Sequence, residues 1–155
     1  NFAQHLSGAS FDEALQNSLW TRGQLTEKQV QNLNTYESFV ELIVGGKKLL
    51  LVHSVSDYNT GEMIVDPSKY DLIIQGHVHF ESSGSGNIRT ARALGVGGKG
   101  DQRASYIIIE ENPSGGYSLE VRKIEYDVKS QLYDINASSL SAEDKSKIRF
   151  WISGR

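Results

Sequence analysis

Leu49-Leu50-Leu51-Val52-His53-Ser54 and, further along, Asp71-Leu72-Ile73-Ile74-Gln75-Gly76-His77-Val78-His79 are two apolar runs that each end in histidine. Neither run alternates with polar residues, the pattern of a strand buried on both faces. Both runs therefore predict central strands of one sheet. In open α/β sheets ligand sites gather beyond the carboxyl ends of such strands, where His53, His77 and His79 fall. His77 and His79 are two residues apart, so in extended backbone both imidazoles project to one side. Gly76 before them permits a sharp turn without a Cβ penalty. Neutral imidazole is a good ligand for Zn, Mn, Fe or Ni. A single histidine at a strand end is nonetheless more often a satisfied polar residue than a ligand.

Around these strands the pattern changes. Phe11, Ala14, Leu15, Ser18 and Leu19 recur at helical spacing behind a Ser10/Glu13 capping box, and Gly23 breaks the helix. Thr26 with Gln29 offers a second cap, for a short helix through Val30 and Leu33. Phe39 to Val44 is strand-like, and Gly45-Gly46 is a hairpin signal leading into Lys47 to Val52. Ser54 to Tyr70 is polar and loop-like, with a helical turn near Pro67. Ile88 to Leu94 alternates as a half-buried strand, and Gly95 to Gly100 is glycine-rich. Ala104 to Glu110 and Tyr117 to Tyr126 flank the Asn112-Pro113-Ser114-Gly115-Gly116 turn as a hairpin. A weak helix follows Val128. A firmer one follows Ser141, capped with Asp144 and carrying Ile148, Trp151 and Ile152 as its apolar stripe. The order predicts an α/β or α+β layered sheet within a single domain spanning residues 1–155.

Composition narrows the function classes. The 155 residues carry a net charge of -3 and no basic cluster, which argues against generic nucleic-acid binding. No cysteine is present, so disulfides, thiolate zinc sites and cysteine nucleophiles are excluded together. No apolar run reaches membrane-span length and no signal-peptide pattern opens the chain, so a cytoplasmic location is expected. The chain begins with Asn rather than Met and is read as a fragment or processed product.

The two histidine-terminated runs resemble the second half of the calcineurin-like metallophosphoesterases, closest to the small bacterial phosphodiesterase-like branch. There an apolar strand ends in a ligand histidine and a later one ends in Gly-His-x-His. Trp20-Thr21-Arg22-Gly23-Gln24-Leu25-Thr26 resembles the segment before the first of these strands, and Arg103 to Ile109 the strand after the family's glycine-rich loop. The similarity runs from about Trp20 to Val128. It implies a layered β-sandwich flanked by helices (αββα), here without its N-terminal part. It also implies that His53 and His77 bind one divalent metal ion and His79 a second, the pair being Mn, Fe, Zn or Ni. The implied reaction is hydrolysis of a phosphate ester by a metal-bridged hydroxide, with the ions about 3.5–4 Å apart.

The chain departs from that family in three places. The early motifs Asp-x-His, Gly-Asp and Gly-Asn-His/Asp, which supply carboxylate and asparagine ligands, are missing, with Asn1 the one candidate remnant. Ser54 follows His53 where glycine is usual. Arg92 to Gly98 stands where an Asn-Pro-Gly-Ser-type loop is common. Three neutral ligands for two dications leave charge uncompensated, so weak or single metal binding is expected. The alternatives are a non-catalytic metallophosphoesterase-like binding or scaffold domain, or an inactive fragment. Arg89, Arg92 and Arg103 could approach a phosphate, though solvated or salt-bridged roles are expected for each. With the sheet-completing strands absent, an exposed edge is expected at the Leu49 or the Leu72 strand, with a homo-oligomer or the absent N-terminal segment as partner.

Overall fold

The computed structural model describes residues 9–57, 60–76, 86–91 and 101–153, with side chains from residue 15 onward. The chain divides into two compact units, Asn1–Glu37 and Ser38–Arg155.

The first unit carries two helices, α1 (Ala9–Gly23) and α2 (Glu27–Leu33). The side chains of the expected Ser10/Glu13 box lie outside the described set. The second box is present. The Gln29 N–H donates to the Thr26 hydroxyl at 3.3 Å, and the Gln29 side chain accepts the Thr26 N–H at 2.7 Å. Two of the orphan donors at the helix start are thereby satisfied reciprocally.

The second unit opens with strands β1 (Phe39–Val44) and β2 (Lys47–Val52), joined by Gly45 and Gly46 at φ +57° and +74°. Left-handed conformation at both turn positions matches the right-handed twist of the flanking strands and favours glycine at each. Strand β3 (Leu72–Gln75) runs parallel to β2, and β4 (Ile88–Thr90) parallel to β3, giving the order β1-β2-β3-β4. Strands β5 (Ala104–Glu111) and β6 (Tyr117–Ile124) form a separate antiparallel hairpin. Helices α3 (Val128–Ala137) and α4 (Ala142–Ser153) follow. Among the described residues the fold is thus mixed α/β with two sheets and four helices.

Period-two alternation divides the four-stranded sheet into two apolar layers. Leu49, Leu72 and Ile74 lie on one face, where Ile107, Ile109, Tyr117 and Leu119 of the β5–β6 hairpin pack on them. Leu50 and Ile73 lie on the other, joined by Val55, with Val52, Val65, Tyr70 and Ile88 around them. Leu49 and Ile73 are fully buried, so β2 and β3 are central strands. The expectation of an exposed edge at the Leu49 or Leu72 strand is therefore corrected. Each of those strands has a neighbour on both sides, and the open edge falls on β1, which pairs only with β2 among the described residues.

The helix expected after Val128 is present, and one smaller reading changes. The weak helix after Val128 is a ten-residue helix whose Asp127 side chain accepts the Ser130 N–H at 3.0 Å. In α4 the Ser141 cap is present, accepting the Asp144 N–H at 3.0 Å. Of the expected stripe, Ile152 is buried and Ile148 half-buried, but Trp151 is exposed and makes an edge contact with Phe150. Among the described residues no helix is long and apolar enough to cross a membrane.

Candidate functional site at the carboxyl edge of the sheet

The site is built by the register of β2 against β3. At the entry end, Asp71 accepts the Lys48 N–H at 2.8 Å and the Lys47 ammonium at 3.1 Å, while the Asp71 N–H donates to the Lys48 carbonyl at 2.8 Å. The Lys48 amide first and Lys47 second hold the Asp71 carboxyl below the ordinary carboxylate range, so it stays ionised and acceptor-only. This clamp fixes the pairing Leu49↔Leu72 through Val52↔Gln75. Because the strands are parallel and their pairing ends at Val52↔Gln75, the two segments leave the sheet side by side.

At that exit the Gly76 N–H donates to the carbonyls of Val52 at 3.3 Å and His53 at 3.1 Å. The Gln75 carboxamide then links three segments of the chain. It accepts the Val55 N–H at 3.3 Å and reaches the hydroxyl of Thr90, a buried residue, at 3.5 Å. Ala91 donates its N–H to the Gln75 carbonyl at 2.8 Å, fixing the end of β4 against the same edge. Sequence reading passed over Gln75 as the last strand residue. Its signal is a lone amide closing an otherwise apolar run, where only cross-strand hydrogen bonding accounts for it.

His53 is exposed at this edge, and its backbone sits against Gly76. The chain continues from Gly76 into His77-Val78-His79, and both of those histidines lie outside the described residues. So do Arg92 and the glycines from Gly95 to Gly100. Among the described residues no group of three histidine or carboxylate side chains could hold a metal, so the described donors alone do not fit one.

A cavity of about 520 Å³ adjoins His53. Leu50 and Val52 of β2 line it together with Phe39, Ile64, Val65 and Tyr70. Part of that lining comes from the segment read as a polar loop, whose described residues are held by hydrogen bonds. Ile64 donates its N–H to the Val55 carbonyl at 2.9 Å, Ser56 bridges to Met63, and Pro67–Lys69 forms a 3-10 turn capped by Asp66. Ile64-Val65 was the visible signal, an apolar pair inside a polar stretch.

A larger cavity of about 1200 Å³, whose lining does not include His53, lies among Asp101, Arg103, Tyr126 and Lys129. There Asp101 is taken up by Arg103 at 2.9 Å and Lys123 at 3.3 Å. Arg103 thus has the expected salt-bridged role. The Arg89 guanidinium donates to the carbonyls of Gly86 at 3.0 Å and Ile88 at 2.9 Å.

No family model matches the chain, and no curated protein matches it. Among solved structures, the crystal structure of a hypothetical protein from Pyrococcus horikoshii OT3 is similar, with a TM-score of 0.62 and 13% sequence identity. The match covers 81% of this chain and 55% of that one, so the chain spans little more than half of its structural neighbour. At that identity the likeness concerns the fold alone: the mixed α/β arrangement is one that a solved protein also adopts.

Proposed function

We propose that this chain carries part of a metal-dependent phosphoesterase site of the calcineurin-like type, with its carboxylate ligands supplied from outside these 155 residues. One observation carries the reading. Parallel β2 and β3 end in register, and the Gly76 N–H is bonded to the His53 carbonyl immediately before His77-Val78-His79. Two histidine-bearing exits that share one sheet edge are what a binuclear imidazole site requires. The packing of the β5–β6 hairpin on the four-stranded sheet also suits the layered αββα sandwich of that family.

In this reading His53 and His77 serve one divalent ion and His79 the other. Divalent ions held by these imidazoles would supply Lewis-acid activation of a phosphate ester and of water, chemistry that asks for no protein nucleophile. Gln75 is a positioning residue, since its amide ties the strand exits to one another.

The test is Mn²⁺ titration of the folded chain by calorimetry, followed by hydrolysis of bis-p-nitrophenyl phosphate. Expected is Mn²⁺ binding that His53→Ala and His77→Ala each weaken at least about tenfold, and turnover, where it occurs, that His77→Ala abolishes. Mn²⁺ binding no tighter than on the order of 10 mM, unchanged in both variants, sinks the proposal. Tight binding without turnover favours the non-catalytic scaffold.

A further inference from the structure

Strand β1 reads Phe39-Val40-Glu41-Leu42-Ile43-Val44 and forms one edge of the four-stranded sheet. Sheet edges of this kind are ordinarily protected by lysine, proline, a bulge or short length. Here all six residues pair with β2 in unbroken register, so there is no bulge, and neither lysine nor proline occurs. Phe39 is 56% exposed and Ile43 70%. The one charge, Glu41, is neutralised within its own chain by Lys48 at 2.9 Å and by the Tyr70 hydroxyl at 2.6 Å. What remains is an apolar edge whose one charge is already partnered within its own chain.

The hairpin geometry says which backbone groups are open. Gly45-Gly46 is a two-residue turn, so its closing pair, Val44 and Lys47, exchanges hydrogen bonds. Alternation then directs the N–H and C=O groups of Val40, Leu42 and Val44 toward β2. Those of Phe39, Glu41 and Ile43 face outward.

We infer that β1 pairs antiparallel with β1 of a second copy of this chain, about a two-fold axis at Leu42. A two-fold perpendicular to the sheet keeps each face on its own side, so the paired positions must have the same parity. An axis at Glu41 would set two carboxylates directly opposite, which is unfavourable. An axis at Leu42 instead pairs Glu41 with the copy's Ile43 through outward backbone groups. It also places Leu42 against the copy's Leu42, and Val40 against the copy's Val44, in the close non-hydrogen-bonded positions where side chains approach most nearly. These three residues lie on the face where Val44 already packs with Leu49. The result is an isologous, closed dimer with one continuous eight-stranded sheet.

The test uses the 155-residue chain in sedimentation equilibrium from about 1 to 200 µM, a range that resolves micromolar association. Ile43→Pro removes an outward N–H that the monomer's ladder does not use. Ile43→Lys puts a charge at the joint without touching the backbone, and remains informative if the proline variant fails to fold. Expected is a concentration-dependent dimer that each folded variant weakens at least about tenfold. The Glu41 and Ile43 amides should also exchange with solvent more slowly as concentration rises. A monomer throughout this range, a dimer that both variants leave intact, or edge amides that exchange at one rate at every concentration overturns the inference.

Discussion

Strands β1 and β2 are equally long, almost equally apolar, and joined by a turn of two glycines, yet the structure treats them in opposite ways. Leu49 and Leu50 of β2 are buried on opposite faces, whereas β1 is exposed along all but its last residue. The difference lies in neighbours. β2 has β1 on one side and β3 on the other, the hairpin β5–β6 over one face and the Val55, Val65 and Tyr70 side chains over the other. β1 has β2 alone. An apolar sequence makes a residue eligible for burial; the number of surfaces that reach it decides whether burial happens.

The sharpest way to break this comparison is to remove the same kind of side chain from each strand. Leu49→Ala empties a fully buried position between two sheets and is expected to cost about 2–5 kcal/mol. Ile43→Ala on the open strand should stay within about 0.5 kcal/mol, measured dilute enough to exclude association. Urea unfolding of the two variants checks it. Equal losses would mean that β1 is covered as thoroughly as β2.

The next largest effect concerns the turn between them. Gly45 and Gly46 both have positive φ, so alanine at either is strained by about 1–2 kcal/mol. Only Gly45 has a second constraint. Its carbonyl accepts the Gly116 N–H at 2.8 Å, and a Cβ added there would collide with the Gly116 backbone. Nothing lies near a Cβ at Gly46. Gly45→Ala should therefore cost about 3 kcal/mol or more and Gly46→Ala about half of that. Thermal unfolding of the pair isolates the contact between the two hairpins.

The comparison also explains how much was legible in advance. The strands, the Gly45-Gly46 turn, the Thr26 cap and the second hairpin were readable because each rests on local chemistry: period, φ preference, a side chain within three residues. The unbroken apolar run at Leu49 correctly marked a strand buried on both faces. The open edge was misplaced because edges depend on sheet order, and sheet order is set by contacts far apart in sequence. Val55 and Tyr70 were passed over for the same reason: their polar neighbours read as loop, while their partners Leu50 and Ile73 come from other segments. Of the candidate site, the position of His53 was legible. The clamp at Asp71 and the bridging amide of Gln75 were not, since each acts across strands.

The smallest expected effect tests the polar contacts that Glu41 of β1 makes with Tyr70 and Lys48. Glu41 accepts the Tyr70 hydroxyl at 2.6 Å and pairs with Lys48 at 2.9 Å, while the Lys48 ammonium lies 4.9 Å from the Tyr70 ring centre. The Tyr70 hydroxyl first, and Lys48 second, lower the Glu41 pKa from its ordinary 4.5. A depressed carboxyl stabilises the fold above its unfolded pKa and loses that contribution as pH falls through the folded value. Tyr70 and Lys48 are both raised, chiefly by Glu41, so their contribution is present at neutral pH and is lost in strong alkali. The Tm advantage of wild type over Glu41→Gln should hold from about pH 5 to pH 9 and narrow toward pH 3. These groups are solvent-exposed, so about 1 M salt should also reduce it at pH 7. A difference that is flat from pH 7 to pH 3 and indifferent to salt would mean that packing of the glutamate stem, not its charge, ties β1 to Tyr70. The carboxylate would then have no part in keeping the open strand on the sheet.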